Sequence, residues 1–405
     1  MLSLASLRLT GWALIAAPLT LAATQPIEGP ASVGQPATAA IQDKPIEFVF
    51  QRPVQRALGI TVKETHDLLL TSLTTQFGER EPTASTVAMR LRTRLDVALA
   101  EEYADAGPGP DALRRLYLDA VGEIQVIDPA SVDDVAGTWN GVGIALKSPL
   151  KDVSVAFVPA EGQPDGHGRH FDGAALRESA LPKLAVPTDW SQYLPPVKES
   201  GGPHVATLGD RWSLDAALLE PFLAPAGFMG WRTEKPKDGA SPAESEGQIL
   251  RAFATGVGGN LQQAFDGKVT GTAEARLLTV GVDPDNGRFG QIEIRFELGL
   301  RADPDAFVAS RRLDDEGELD VDILGSDLEV RIKGIAVLNW GLDSGRPFSG
   351  LVNAEETVSM TVRVLPESGD VVSQTMVMKG NLLNGLTFKE LPLSPVKRTI
   401  VLDGK

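Results

Sequence analysis

Apolar side chains recur at every second position over long stretches of this chain. That period marks strands with one face buried. Val87, Met89, Leu91, Leu95, Val97 and Leu99 alternate with Ala88, Arg90, Arg92, Arg94, Asp96 and Ala98, interrupted only at Thr93. Residue propensity alone favours a helix here, because Ala, Leu and Arg dominate. Burial outweighs propensity, so the stretch is expected to be a long strand. Ile60–Phe77 is rich in Leu and β-branched residues and reads as strand. Ile292, Ile294, Phe296, Leu298 and Leu300 alternate with polar or small residues, and so do Val358, Met360, Val362 and Val364. Leu113–Val126 is readable either way, and Val142–Leu146 with Val153–Val158 suggests a hairpin around Pro149.

The pattern is densest over Gly317–Leu365. Folding the chain at Gly325-Ser326 sets Ile323 against Leu328, Val321 against Val330 and Leu319 against Ile332. The other side then pairs Asp320 with Arg331 and Glu318 with Lys333, leaving only Asp322–Glu329 mismatched. A Gly-first two-residue loop suits a type II′ turn, so a hairpin is expected. Asp283-Pro284-Asp285-Asn286-Gly287 and Asp343-Ser344-Gly345 are turns by residue chemistry. Val269–Gly290 and Ile332–Gly350 repeat one scheme, a Gly-Ala strand, a Gly-Arg turn and a return strand, which convergent hairpin chemistry explains equally well.

Between the β-rich parts the period is lost. Ala160–Glu199 reads as a loop crossing with a short element at Gly173–Ala180. Ser213 is placed to cap a short helix over Leu214–Leu223, which Pro221 bends or ends. Thr233–Gly247 has the composition of a linker or mobile loop. The fold expected is mainly β: two long-stranded antiparallel sheets or partial barrels joined by a loop and short-helix segment. The boundaries are 1–23 signal peptide, 24–44 flexible tether, 45–160 N-terminal β domain, 161–247 connection and 248–405 C-terminal β domain.

Composition adds a compartment. Arg8 precedes the apolar run Gly11–Ala23, which is of signal-peptide length and short for a bilayer span. No later stretch approaches a span, so export to the periplasm or medium of a bacterium is expected. Cysteine is absent, which excludes disulfides and thiolate chemistry. The net charge of −16 becomes −17 once Arg8 leaves with the signal, which opposes nucleic-acid phosphates and anionic lipid.

Candidate chemistry is sparse. His167 and His170, with Asp172 nearby, form an imidazole–carboxylate group of the type that suits Zn²⁺. They lie in a Gly-rich stretch without a helix to hold them, so an exposed loop is the simpler reading. The acidic run Asp314–Asp327 and the Asp283–Gly287 turn have oxygens suited to Ca²⁺, but a solvated face and a plain turn explain them. No nucleophile elbow or phosphate loop occurs. No catalytic residue and no cofactor is therefore assigned.

The order of features, with Leu194-Pro195 followed by Gly209-Asp210-Arg211-Trp212 between two β-rich halves, resembles secreted proteins of unknown function from planctomycete-type bacteria. The gap between Leu-Pro and Gly-Asp is longer here. The resemblance implies the β-rich architecture and carries no activity or site residue with it. Read as residues, Trp212 packs into the junction and Gly209-Asp210 turns the chain; sugar stacking is the other role open to Trp212. The function expected is that of a non-catalytic envelope protein binding an apolar ligand or a protein partner in a concave sheet. The alternatives are a structural or assembly module without a ligand, and a carboxylate-based hydrolase.

Overall fold

The computed structural model describes residues 44–51, 53, 56–85, 89–103, 113–127, 142–148, 150–159, 167–172, 188–197, 202–224, 232–233, 265, 267–302, 321–366 and 371–393. The strands in chain order are β1 (Ile46–Phe48), β2 (Arg56–Phe77), β3 (Thr83–Ser85), β4 (Arg90–Tyr103), β5 (Leu113–Ile127), β6 (Val142–Lys147), β7 (Ser154–Pro159) and β8 (His167–Asp172). They continue with β9 (His204–Ala206), β10 (Arg211–Leu214), β11 (Arg232–Thr233), β12 (Lys268–Asp283), β13 (Gly287–Arg301), β14 (Val321–Gly341), β15 (Arg346–Pro366) and β16 (Val372–Pro392).

One 14-stranded sheet takes all of them except β1 and β9, which pair with each other. Its main path runs β10-β12-β13-β14-β15-β16-β2-β4-β5-β6-β11. Every pairing is antiparallel. The end strands β10 and β11 do not pair with each other, so the sheet is open among the described strands. Two β-rich halves were expected, and the strands of both share this sheet. The join is β16 on β2, paired from Val372↔Phe77 to Pro392↔Arg56 with one register shift between Val377 and Met378.

Period two decides the faces. On β2 the even positions from Leu58 to Leu70 are buried and Thr61, Lys63 and Leu69 are exposed. The buried face is covered by two other parts of the chain. Phe48 is fully buried, and the Trp340 Nε1–H donates to the Val49 carbonyl at 3.2 Å. Trp190 meets Phe388 edge-on at 4.8 Å and Phe222 at 5.6 Å, and Asn384 Nδ2 donates to the Phe222 carbonyl at 2.7 Å. The β1–β9 pair ties these two covering parts together.

Several local expectations are corrected. The chain does not turn at Gly325-Ser326: β14 runs through them for 21 residues beside β15. Its register slips between Ile323 and Gly325, so Leu324 is the extra residue of a bulge. A glycine flanked by alternation is compatible with either a turn or a bulge, and the long partner strand selects the bulge. Glu318, Leu319 and Asp320 lie outside the described residues. Arg331 pairs instead with Glu329 at 2.8 Å, and Lys333 with Glu297 at 3.0 Å. Strands β6 and β7 are not hairpin mates; both pair with β5, at Val121–Val126 and Leu113–Leu116. The expected crossing loop contains β8, paired with β7. Ser213 lies in β10, and Asp215 is the cap, accepting from the Ala217 N–H at 3.0 Å ahead of a 3-10 turn, Ala216–Leu219. Helix α1 (Glu220–Leu223) follows, and Pro221 sits in its first turn, where a missing N–H costs nothing.

Candidate functional site: a buried Glu–His–Glu cluster

The buried face is apolar except at a few places, and the most charged of them is centred on His66. Alternation along β2 puts Glu64 and His66 on the same face as Val62 and Leu68. His66 Nε2 donates to Glu64 Oε1 at 2.5 Å, and Nδ1 donates to Glu356 Oε1 at 2.8 Å. Their side chains are 1%, 7% and 2% exposed for His66, Glu64 and Glu356, so water screens none of these contacts. Glu356 stands on β15, two strands from β2. Its register partner on the intervening β16 is Gly380. A Cβ at Gly380 would run into the Asp67 carbonyl oxygen, so only glycine lets β2 come this close.

Burial by itself lowers the pKa of His66. The charge of Glu356 and the hydrogen bonds to Glu356 and Glu64 more than reverse this and raise it to about 10. At neutral pH the ring is therefore an imidazolium with both N–H groups engaged. It has no lone pair with which to take a proton, so it does not fit a general base. Thr93, opposite His66 on β4, and Asn384, opposite Glu64 on β16, are also buried. Thr93 Oγ1 and Asn384 Oδ1 have no hydrogen-bond partner among the described residues.

A second buried pair lies on β4 and β5. Arg115 Nη2 donates to Glu101 Oε1 at 2.6 Å, the Tyr103 hydroxyl donates to Glu101 Oε2 at 2.9 Å, and the guanidinium lies 5.5 Å from the Phe157 ring centre. Burial works against the charged Arg115, and Glu101 more than compensates, so its pKa rises.

The residues singled out in the sequence fall elsewhere. His167, His170 and Asp172 are on β8, in register with Pro159, Ala156 and Ser154. Among the described residues no group of three or more His, Asp or Glu is placed to hold a metal ion. In the Asp283 turn, Asp283 Oδ1 accepts from the backbone N–H of Asp285 and Asn286 and from Asn286 Nδ2, at 2.8–3.0 Å. Asp314–Asp320 lies outside the described residues. Trp212 is a core residue. Its Nε1–H donates at 3.2 Å to the carbonyl of Tyr193, the residue before Leu194-Pro195. Gly209 has φ +89, and the Asp210 carboxylate accepts from the Thr207 N–H at 2.7 Å, which closes the turn. The spaced motif is thus one structural junction.

The outer face is charged, with ion pairs such as Arg295–Glu293 at 2.8 Å and Arg90–Asp67 at 2.6 Å. Exposed apolar side chains also occur among the described residues, Leu69 and Val121 for example, and three of them stand close together. Ile335, Leu351 and Leu383 are 40%, 49% and 44% exposed. Register places them together: Val337 faces Leu351 on β15, Leu351 faces Gly385 on β16, and Leu383 is two residues from Gly385.

No family model matches this chain, and no curated protein matches it. Among solved structures, an outer membrane channel from Pseudomonas putida F1 aligns with 84% of this chain and 97% of its own, at 10% identity and a TM-score of 0.19. That likeness is too slight to say anything about this chain.

Proposed function

We propose that the protein is an exported, non-catalytic component of the bacterial envelope that works through contact with a protein, as a structural or assembly module. One observation carries the reading: the inner face of the sheet is filled by the chain itself, while the outer face carries an apolar patch. Trp190, Tyr193, Phe222 and Leu223 are each at most 2% exposed and occupy the face where an apolar ligand would lie. The cluster at His66 is enclosed and its ring is charged, which suits a structural tie better than hydrolysis. The charged outer face favours water. A strand crossing a membrane in a barrel turns its apolar side outward, the reverse of the arrangement here. The Arg8 and Gly11–Ala23 pattern and the absence of cysteine support export into an envelope compartment.

Native mass spectrometry of the protein purified from the envelope tests this. Masses that are whole multiples of the bare chain are expected. A lipid-sized adduct that is lost on denaturation would overturn the reading and restore an apolar ligand in the sheet.

A further inference from the structure

We infer that the partner on the outer patch is a second copy of this chain, packed sheet to sheet about a twofold axis running along β15. The inference rests on the protein-contact reading above and goes further by naming the partner.

The register carries it. One row across the outer face reads Glu293, Val337, Leu351, Gly385, Lys63, and the next reads Arg295, Ile335, Asn353, Leu383, Thr65. A twofold axis along β15 maps β13 onto β2 of the other copy and β14 onto β16. Leu351 then meets its own copy, Ile335 meets Leu383 twice, and Val337 rests on Gly385, which has no side chain to obstruct it. At both ends of that row Lys63 comes opposite Glu293, whose carboxylate also holds Arg295 of its own chain at 2.8 Å. Lys63 is exposed and has no ion-pair partner among the described residues. In the row beyond, Glu355 meets its own copy and Glu297 comes opposite Asp67 at both ends; Lys333, beside Glu355 and paired with Glu297, and Arg90 and Arg92, paired with Asp67, offset the repulsion. Such self-complementarity is what an isologous interface requires, and sheets pack face to face with strands nearly aligned. The apolar centre with a charged rim also follows the anatomy of protein interfaces.

Light scattering on the eluting exported protein, with circular dichroism to verify the fold, tests the proposal. Wild type is expected at twice the chain mass. Leu351→Glu is expected to run as a folded monomer. Lys63→Glu and Glu293→Lys each place like charges together at both ends of the row, so each alone is expected to dissociate. Mixing these two variants sets opposite charges at both ends and is expected to restore a dimer containing one chain of each. A monomeric wild type would overturn the proposal. So would a dimer that ignores Leu351→Glu, or two charge variants that dissociate and fail to recombine. A bare monomer would sink the dimer and leave the protein-contact reading standing, whereas a lipid adduct would sink that reading itself.

Discussion

At the scale of single residues, His66 shows how a buried charge is tolerated. Its two carboxylates outweigh the desolvation that burial imposes, so its folded pKa lies above the unfolded value near 6.5. The stabilisation is therefore complete below pH 6.5 or so and is lost as pH rises through about 10. Urea unfolding midpoints between neutral pH and pH 11 or so should fall for wild type, and His66→Gln should lose the part of that fall that belongs to the ring. Removing the cation alone should be severe: His66→Leu leaves two carboxylates buried together and should cost about 3–5 kcal/mol. Replacing Glu64, His66 and Glu356 together by Leu should recover most of that loss in the same assay. These residues were within reach of the sequence. Continuing the apolar alternation of Val62 and Leu68 puts Glu64 and His66 on the buried face, and a polar pair on that face is the signal. Their partner Glu356 was not legible, because it is 290 positions from His66 in the chain.

At the scale of elements, the period of two was a sound guide to which stretches are strands and a poor guide to what they pair with. It correctly placed β4 against its helix propensity, with Thr93 as the one polar interruption on the buried face between Leu91 and Leu99. It failed at Gly325, where a glycine within alternation reads as a turn. Gly380 makes the complementary case, a glycine within a strand at a close backbone approach. Gly380→Ala should destabilise by about 1–3 kcal/mol or more, since β2 or β16 must shift to admit the methyl group; the urea midpoint measures this. Asp215→Ala should cost about 1 kcal/mol through loss of the cap, whereas Ser213→Ala should change little. That contrast separates the observed cap from the one its neighbour suggested.

At the scale of the whole molecule, the long pairing of β16 with β2 makes the two β-rich parts interdependent. Neither the chain up to Thr233 nor the chain from Gln248 onward should give a sharp, cooperative thermal transition alone, because each would expose one unpaired strand of about twenty residues. Mixing the two fragments should restore the transition if the pairing holds them together. A fragment that unfolds cooperatively alone would show that its half carries its own core.

The sequence by itself determined the strand-rich character, the face each strand buries, the absence of disulfides and the acidic balance. Each of these depends on side-chain identity and on neighbours within a few positions. The tertiary structure alone decided that the chain's two β-rich parts join in one sheet. It also decided that Glu356 reaches His66, that Trp212 is tied to Tyr193, and that Ile335, Leu351 and Leu383 gather on one outer patch. These are contacts between strands. Alternation says which side of a strand is apolar, but it is the same for every possible neighbour, so strand order and register are chosen only when the whole sheet packs.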